Sequence, residues 1–249
     1  MIYREPDRKL TYKKIDGLNL PMNIYEPCSE AETDKVILVI HGGGWNTAIS
    51  ENTEWDGGAL KFQAAQFAES GNIAAAISYR SLKIKNTDIF DLIEDVSDAV
   101  RFLKNIDICK NKKLIVMGES AGGHLAAMLG ISNDDDIRPD VVIAVNPVLD
   151  CTKKFSYSSD KTENQVAASP VYRNINKASD FYFLHGTADE TVPLSDTVIM
   201  HERLILSGFE SRLDIIENEP HAFIVYDYKN SDKHIDELMQ PIYEYVSKI

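Results

Sequence analysis

Ser120 sits in a frame that an ordinary loop serine does not need. It belongs to Gly118-Glu119-Ser120-Ala121-Gly122, between the apolar run Leu114-Ile115-Val116-Met117 and the small-residue helical pattern Gly123-His124-Leu125-Ala126-Ala127-Met128-Leu129. A Gly-x-Ser-x-Gly pattern between strand and helix drives the chain through a tight, strained turn and lifts the hydroxyl out at the edge of a sheet. A Cβ at either glycine would collide with the neighbouring strand and helix. Ser120 therefore reads as a nucleophile.

A serine hydroxyl attacks poorly at neutral pH unless a histidine takes its proton and an acid holds that histidine in the correct tautomer. In a strand–turn–helix setting of this kind the expected chain order is Ser, Asp or Glu, then His. Phe181-Tyr182-Phe183-Leu184 reads as a short buried strand, and His185 to Pro193 follows it with carboxylates just beyond its end; Asp189 is the expected acid. Ser211 to Ile216 reads as the last strand, and the loop leaving it, Glu217 to Phe223, carries His221, the expected base. Five other histidines compete for that role. His201 lies in the helical stretch Ser195 to Leu206 and His234 precedes the C-terminal helix, so both are expected in solvent. His124 is one turn past Ser120 and suits helix packing, while His185 ends a strand and suits a backbone hydrogen bond near the site.

His41 belongs to a different part. Val36 to Ile40 is an all-apolar strand that opens into His41-Gly42-Gly43-Gly44-Trp45. Three glycines leave the backbone free to aim amide hydrogens at a developing oxyanion. The amides of Gly43, Gly44 and Ala121 are the expected oxyanion hole. A phosphate loop is the alternative for glycines after a strand, but the Gly-Lys-Ser/Thr ending and the dinucleotide glycine spacing are absent.

On these motifs, His41 to Trp45, Gly118 to Gly123, Asp189-Glu190-Thr191-Val192-Pro193 and the late His221, the chain resembles the α/β-hydrolase superfamily over nearly its whole length. Within it, the resemblance is to small carboxylesterases related to the hormone-sensitive-lipase group and to bacterial acetyl-xylan and feruloyl esterases. It implies a mostly parallel central sheet of about eight strands flanked by helices, with the catalytic groups on loops at the strands' carboxyl ends. It also implies a Ser120–His221–Asp189 triad acting through an acyl-enzyme, with no metal or organic cofactor. Glu190 adjoins Asp189, and Asp150 follows the preceding strand, where some members of the fold place their acid; Asp-x-x-Val-Pro matches the family pattern and favours Asp189. Glu119 is expected to order backbone or a nearby side chain rather than to transfer protons.

Lipase-like members carry an N-terminal helical cap, whereas only about thirty-five residues precede the His41 strand here. They read as two strands, Leu10 to Ile15 and Leu18 to Tyr25, joined at Asp16-Gly17, a favoured hairpin pair. The only room for a small cap lies at 149–180, where Phe155, Tyr157 and Tyr172 mix with polar residues. Without a lid, short acyl groups such as acetyl are the expected substrates, on sugars or xylo-oligosaccharides. Trp45 either offers a flat face to a sugar or aromatic ring or packs beneath the glycine loop. Arylformamidases and peptidases use the same fold and triad, and hydrolase folds also serve as binding modules without catalysis.

The chain is long enough for one well-buried core, and no linker or repeat divides it, so residues 1–249 are expected to form a single domain. Its 26 Lys and Arg stand against 39 Asp and Glu, a net charge of −13. That field repels nucleic acid and anionic membrane surfaces and favours a neutral small molecule or oligosaccharide. Met1 to Arg8 holds no apolar stretch of signal-peptide type, no later segment reads as membrane-spanning, and Cys28, Cys109 and Cys151 are too widely spaced for a disulfide framework or zinc site. The expectation is free thiols in a reducing cytoplasm.

The remaining scaffold reads as a helix over Phe62 to Ala68, a buried strand over Ile73 to Tyr79 and a strand over Val141 to Val145. Ile89, Ile93, Val96, Val100 and Leu103 form one helical stripe, with Asp91, Glu94, Asp95 and Asp98 on its solvated, dipole-compatible side. Asp134-Asp135-Asp136 reads as a solvated loop. Ile235, Leu238, Ile242, Tyr245 and Ile249 line a last helical face that Pro241 must kink or divide.

Overall fold

The computed structural model describes residues 4–28, 33–46, 58–153, 162–226 and 235–249. Phe155, Tyr157 and His234 lie outside the described residues. Eight strands follow one another as β1 (Arg8–Ile15), β2 (Leu18–Tyr25), β3 (Lys35–Ile40), β4 (Ile73–Ile77), β5 (Lys113–Glu119), β6 (Val141–Val145), β7 (Asp180–Gly186) and β8 (Ser211–Ile216). The helices are α1 (Lys61–Glu69), α2 (Ile89–Lys104), α3 (Ala121–Gly130), α4 (Thr162–Ala168), α5 (Leu194–Leu206) and α6 (Ile235–Lys248).

The strands form one sheet in the order β1-β2-β4-β3-β5-β6-β7-β8. β1 and β2 are an antiparallel hairpin with Asp16 and Gly17 both at positive φ, and β2 runs antiparallel to β4. From β4 across to β8 every pairing is parallel. This is the α/β-hydrolase fold that the resemblance implies.

Parallel strands need helical crossovers, which cover both faces of the sheet and make the strands apolar throughout. β3 shows the consequence: Val36, Leu38 and Ile40 face one core with residues of α2, α3 and α5, while Ile37 and Val39 face a second core with residues of α1 and α6. All parallel strands from β3 to β8 therefore end on the same side, where β3, β5, β7 and β8 deliver the glycine loop, Ser120, Asp189 and His221.

Three helical expectations shift. α2 buries Ile89, Leu92, Val96, Ala99, Val100 and Leu103, with Ile93 only half-buried. α6 continues through Pro241 as one helix and buries Ile235, Met239, Ile242 and Val246 instead of the stripe through Leu238 and Tyr245. Asp95 is 0 % exposed rather than solvated. Its Oδ2 accepts from the Arg80 guanidinium at 2.8 Å and the Arg80 amide at 3.1 Å, and its Oδ1 lies 2.9 Å from Lys13 Nζ. Charge-dipole logic for a helix's early turns says nothing about which strand lies across from it, and here β1 and the segment after β4 bring cations to that face.

In the 149–180 segment the described residues form α4 and a short turn at Pro170–Tyr172. No helix among the described residues is long and apolar enough to cross a membrane. Cys28, Cys109 and Cys151 are free thiols, the first exposed and the other two buried.

Candidate active site

Ser120 occupies the turn between β5 and α3 at φ 53° and ψ −117°. An L-residue enters that region only when its surroundings compel it, at a cost of about 1–3 kcal/mol. The compulsion is steric: a Cβ on Gly122 would fall 2.0 Å from the carbonyl oxygen of Ile40, and one on Gly118 would fall 2.2 Å from that of Gly122. Elbow, glycine loop and α3 are thus in backbone contact. The Ser120 amide donates to Val145 at 2.9 Å, which ties the turn to β6.

The structure brings the three expected residues into one hydrogen-bonded chain. His221 Nε2 is 2.9 Å from Ser120 Oγ, and His221 Nδ1 is 2.8 Å from Asp189 Oδ2. A carboxylate can only accept from an imidazole, so Nδ1 carries the hydrogen and the Nε2 lone pair faces the hydroxyl. Burial would raise the Asp189 carboxyl, but hydrogen bonds from His185, His221 and the Val192 amide outweigh it and hold the group well below the usual carboxylate range. Its other oxygen accepts from the amides of Thr191 and Val192, both at 2.8 Å. Glu190 is exposed. Asp150 is engaged elsewhere, by the Thr152 amide at 2.9 Å and the Tyr172 hydroxyl at 3.0 Å.

The remaining histidines sort by position. His124 is buried, edge-on to Trp45, with Nε2 2.8 Å from the carbonyl of Ala168; burial pushes it down to about 4, so it stays neutral. His185 lies 3.1 Å from the Val192 carbonyl and 2.8 Å from Thr197 Oγ1. His201, expected in solvent, is half-buried with Nδ1 2.8 Å from Ser211 Oγ, because α5 packs over β8.

The glycine loop is held by its carbonyls. His41 Nδ1 is 2.7 Å from the Gly42 carbonyl, and the Tyr79 hydroxyl donates to the carbonyls of His41 at 2.8 Å and Gly42 at 3.4 Å. Burial keeps His41 neutral. Since a peptide unit is planar and trans, fixing the Gly42 carbonyl fixes the Gly43 N–H in the opposite direction. Gly43 and Gly44 line the same cavity as Ser120 and His221, and Ala121 opens α3, where a first-turn N–H has no intrahelical acceptor.

That cavity, of about 320 Å³, also has Ala59, Val148, Thr191, Ala222 and Val225 on its wall. Trp45 borders it, is only 2 % exposed and belongs to the core, with its ring edge-on to His124. No group of three His, Cys, Asp or Glu among the described residues is placed to hold a metal ion.

Tyr79 escaped the sequence reading as anything but the end of a strand. The signal was present: Ser78-Tyr79-Arg80 turns polar directly after five apolar residues, at the carboxyl end of a parallel strand, where such folds keep their sites.

The BD-FAE family model matches residues 22–168, which contain the glycine loop and the elbow. Endo-1,4-beta-xylanase B of Butyrivibrio fibrisolvens is 32 % identical over 153 residues, covering 54 % of this chain and 22 % of the xylanase. The inactive dipeptidyl peptidase 10 of Rattus norvegicus is 22 % identical over 233 residues, covering 85 % of this chain and 28 % of the peptidase homologue. The chain thus spans about a quarter of the length of these two relatives. Among solved structures, a propionate-bound esterase, Est2 of Thermogutta terrifontis, superposes with a TM-score of 0.80 at 24 % identity, covering 97 % of this chain and 93 % of the esterase.

Proposed function

The chain belongs to the BD-FAE family, and from that premise we propose that it is a serine carboxylesterase for short-chain esters. The observation that carries the reading is the unbroken Ser120–His221–Asp189 chain, at 2.9 and 2.8 Å.

Ser120 Oγ attacks the ester carbonyl while its proton passes to His221 Nε2, and Asp189 stabilises the imidazolium through Nδ1. The amides of Gly43, Gly44 and Ala121 receive the oxyanion. The tetrahedral intermediate collapses to the acyl-enzyme, and the alcohol leaves with the Nε2 proton. Water then gives its proton to Nε2, adds to the acyl carbon and releases the acid and Ser120. Each proton moves between Oγ, Nε2 and the departing or entering oxygen.

A cavity of about 320 Å³ is at the small end of ligand sites, roughly 300–1,000 Å³. Its alanine and valine wall suits acetyl-type groups, and the similarity to a xylanase supports acetylated sugars or xylo-oligosaccharides as the alcohol side. The test is hydrolysis of p-nitrophenyl esters from acetyl to octanoyl. Acetyl turnover is expected to exceed octanoyl, and Ser120→Ala to remove it by about 10⁴-fold or more. Full turnover in Ser120→Ala would sink the reading; a preference for formamide or peptide substrates over esters would move it to amide chemistry.

A further inference from the structure

The elbow holds a second acid that the triad leaves unused. Glu119 ends β5 with its side chain 4 % exposed. Its Oε1 has no hydrogen-bond partner among the described residues and sits 3.6 Å from His221 Nε2, the nitrogen that also meets Ser120. Its Oε2 fills the space beside Gly42, where a Cβ would lie 2.1 Å from it. The carboxyl is therefore wedged between the glycine loop and the reacting imidazole, and Gly42 is the residue that leaves it room.

The geometry points to Glu119 as a positioning residue that acts through His221: Oε1, 3.6 Å from Nε2 and so beyond hydrogen-bond reach, offers its negative charge to the imidazolium that exists only after Ser120 has given up its proton. This rests on the esterase reading. In the resting site Nε2 is an acceptor and gains nothing from an ionised carboxylate oxygen nearby. In the transition state it is a cationic donor, and an oxygen held 3.6 Å away by the adjoining residue is already in place. The proton still travels from Ser120 Oγ to Nε2 to the leaving oxygen, so Glu119 neither gains nor loses one in the cycle.

The effect depends on the charge of Glu119. Burial, and then the negative charge of Asp189, push its carboxyl up to about 8, so it is neutral at pH 7. The other titratable groups around it among the described residues are few. Tyr79, after β4, is pushed well above its ordinary range by burial and then by the Glu119 charge. His41, at the end of β3, is kept neutral by burial. His221 is left as the group that turns cationic beside it during turnover. Ionising Glu119 favours that cation over the neutral ring, so kcat rises as pH passes through about 8.

The experiment is the pH profile of p-nitrophenyl acetate hydrolysis by wild type, Glu119→Gln and Ser120→Ala. Wild-type kcat is expected to show a second rise near pH 8. Glu119→Gln, which keeps the shape, should lose that rise, match wild type within about twofold at pH 6.5, fall about tenfold below it at pH 9, and keep KM. A merely structural Glu119 would lower kcat equally at all pH values. A Glu119→Gln profile with the same second rise overturns the inference while Ser120→Ala remains inactive; an active Ser120→Ala overturns the esterase reading itself. Should Glu119→Gln not fold, the wild-type carboxyl carbon of Glu119, followed by NMR, must titrate near pH 8 together with that rise; a titration that does not coincide with the rise would overturn the inference.

Discussion

Two of the buried carboxyl clusters among the described residues are held in opposite ways. On the α2 flank Asp95 is closed in by Arg80 and Lys13, with Asp91 and Asp98 completing the ion pairs at 3.3 and 2.8 Å. At the carboxyl ends of the strands, Asp189 has imidazoles and two backbone amides for partners, and Glu119 has no Lys or Arg paired with it among the described residues. A fully paired acid fixes a structure. An acid whose partner changes charge during a reaction can act on that reaction. The two site carboxyls also oppose each other in their linkage to pH. Asp189 is depressed, so the stability it contributes is present above its ordinary range and lost as pH falls through its folded value. Glu119 is raised, so its contribution is complete below the ordinary range and lost as pH rises through about 8.

Substitutions can break this comparison. The largest effect after loss of the nucleophile is expected at Asp189→Asn, where a reversed tautomer should lower kcat by about 10⁴-fold with the fold intact. If turnover stayed within tenfold of wild type while Asp150→Asn abolished it, the acid would be Asp150. Asp95→Ala should do the reverse. Leaving the buried Arg80 charge without its main partner costs about 3–5 kcal/mol in stability, visible as a lower urea midpoint, while kcat per folded molecule holds. A kcat loss at full stability would mean the flank reaches into the site. The smallest effect is expected at Tyr79→Phe. The Gly42 carbonyl keeps its His41 partner, so kcat should drop about tenfold and stability by about 1 kcal/mol, with KM for p-nitrophenyl acetate unchanged. A loss in KM alone would show that Tyr79 contacts substrate instead of aiming the Gly43 amide.

Most strands, the hairpin at Asp16-Gly17 and the elbow were legible because each is written locally: apolar runs of strand length, a turn pair that accepts positive φ, glycines where backbones meet. Ser120, Asp189 and His221 were legible from the elbow motif, the chain order Ser, acid, His and the Asp-x-x-Val-Pro spacing of the family resembled, on loops that parallel strands must bring out on one side of the sheet. Asp95 and His201 were misread for the converse reason, since neither residue's own helix says what packs across from it.

The sequence by itself determined the order of strands and helices, the strained turn at Ser120 and the free backbone after β3, all consequences of residue types within a few positions of one another. Only the tertiary structure brought Asp189 to 2.8 Å from His221, buried Trp45 edge-on to His124, and set Glu119 3.6 Å from a histidine over a hundred residues away. Those are distances between segments, and they follow from how the sheet stacks its strands and how closely the helices pack, which no local pattern carries.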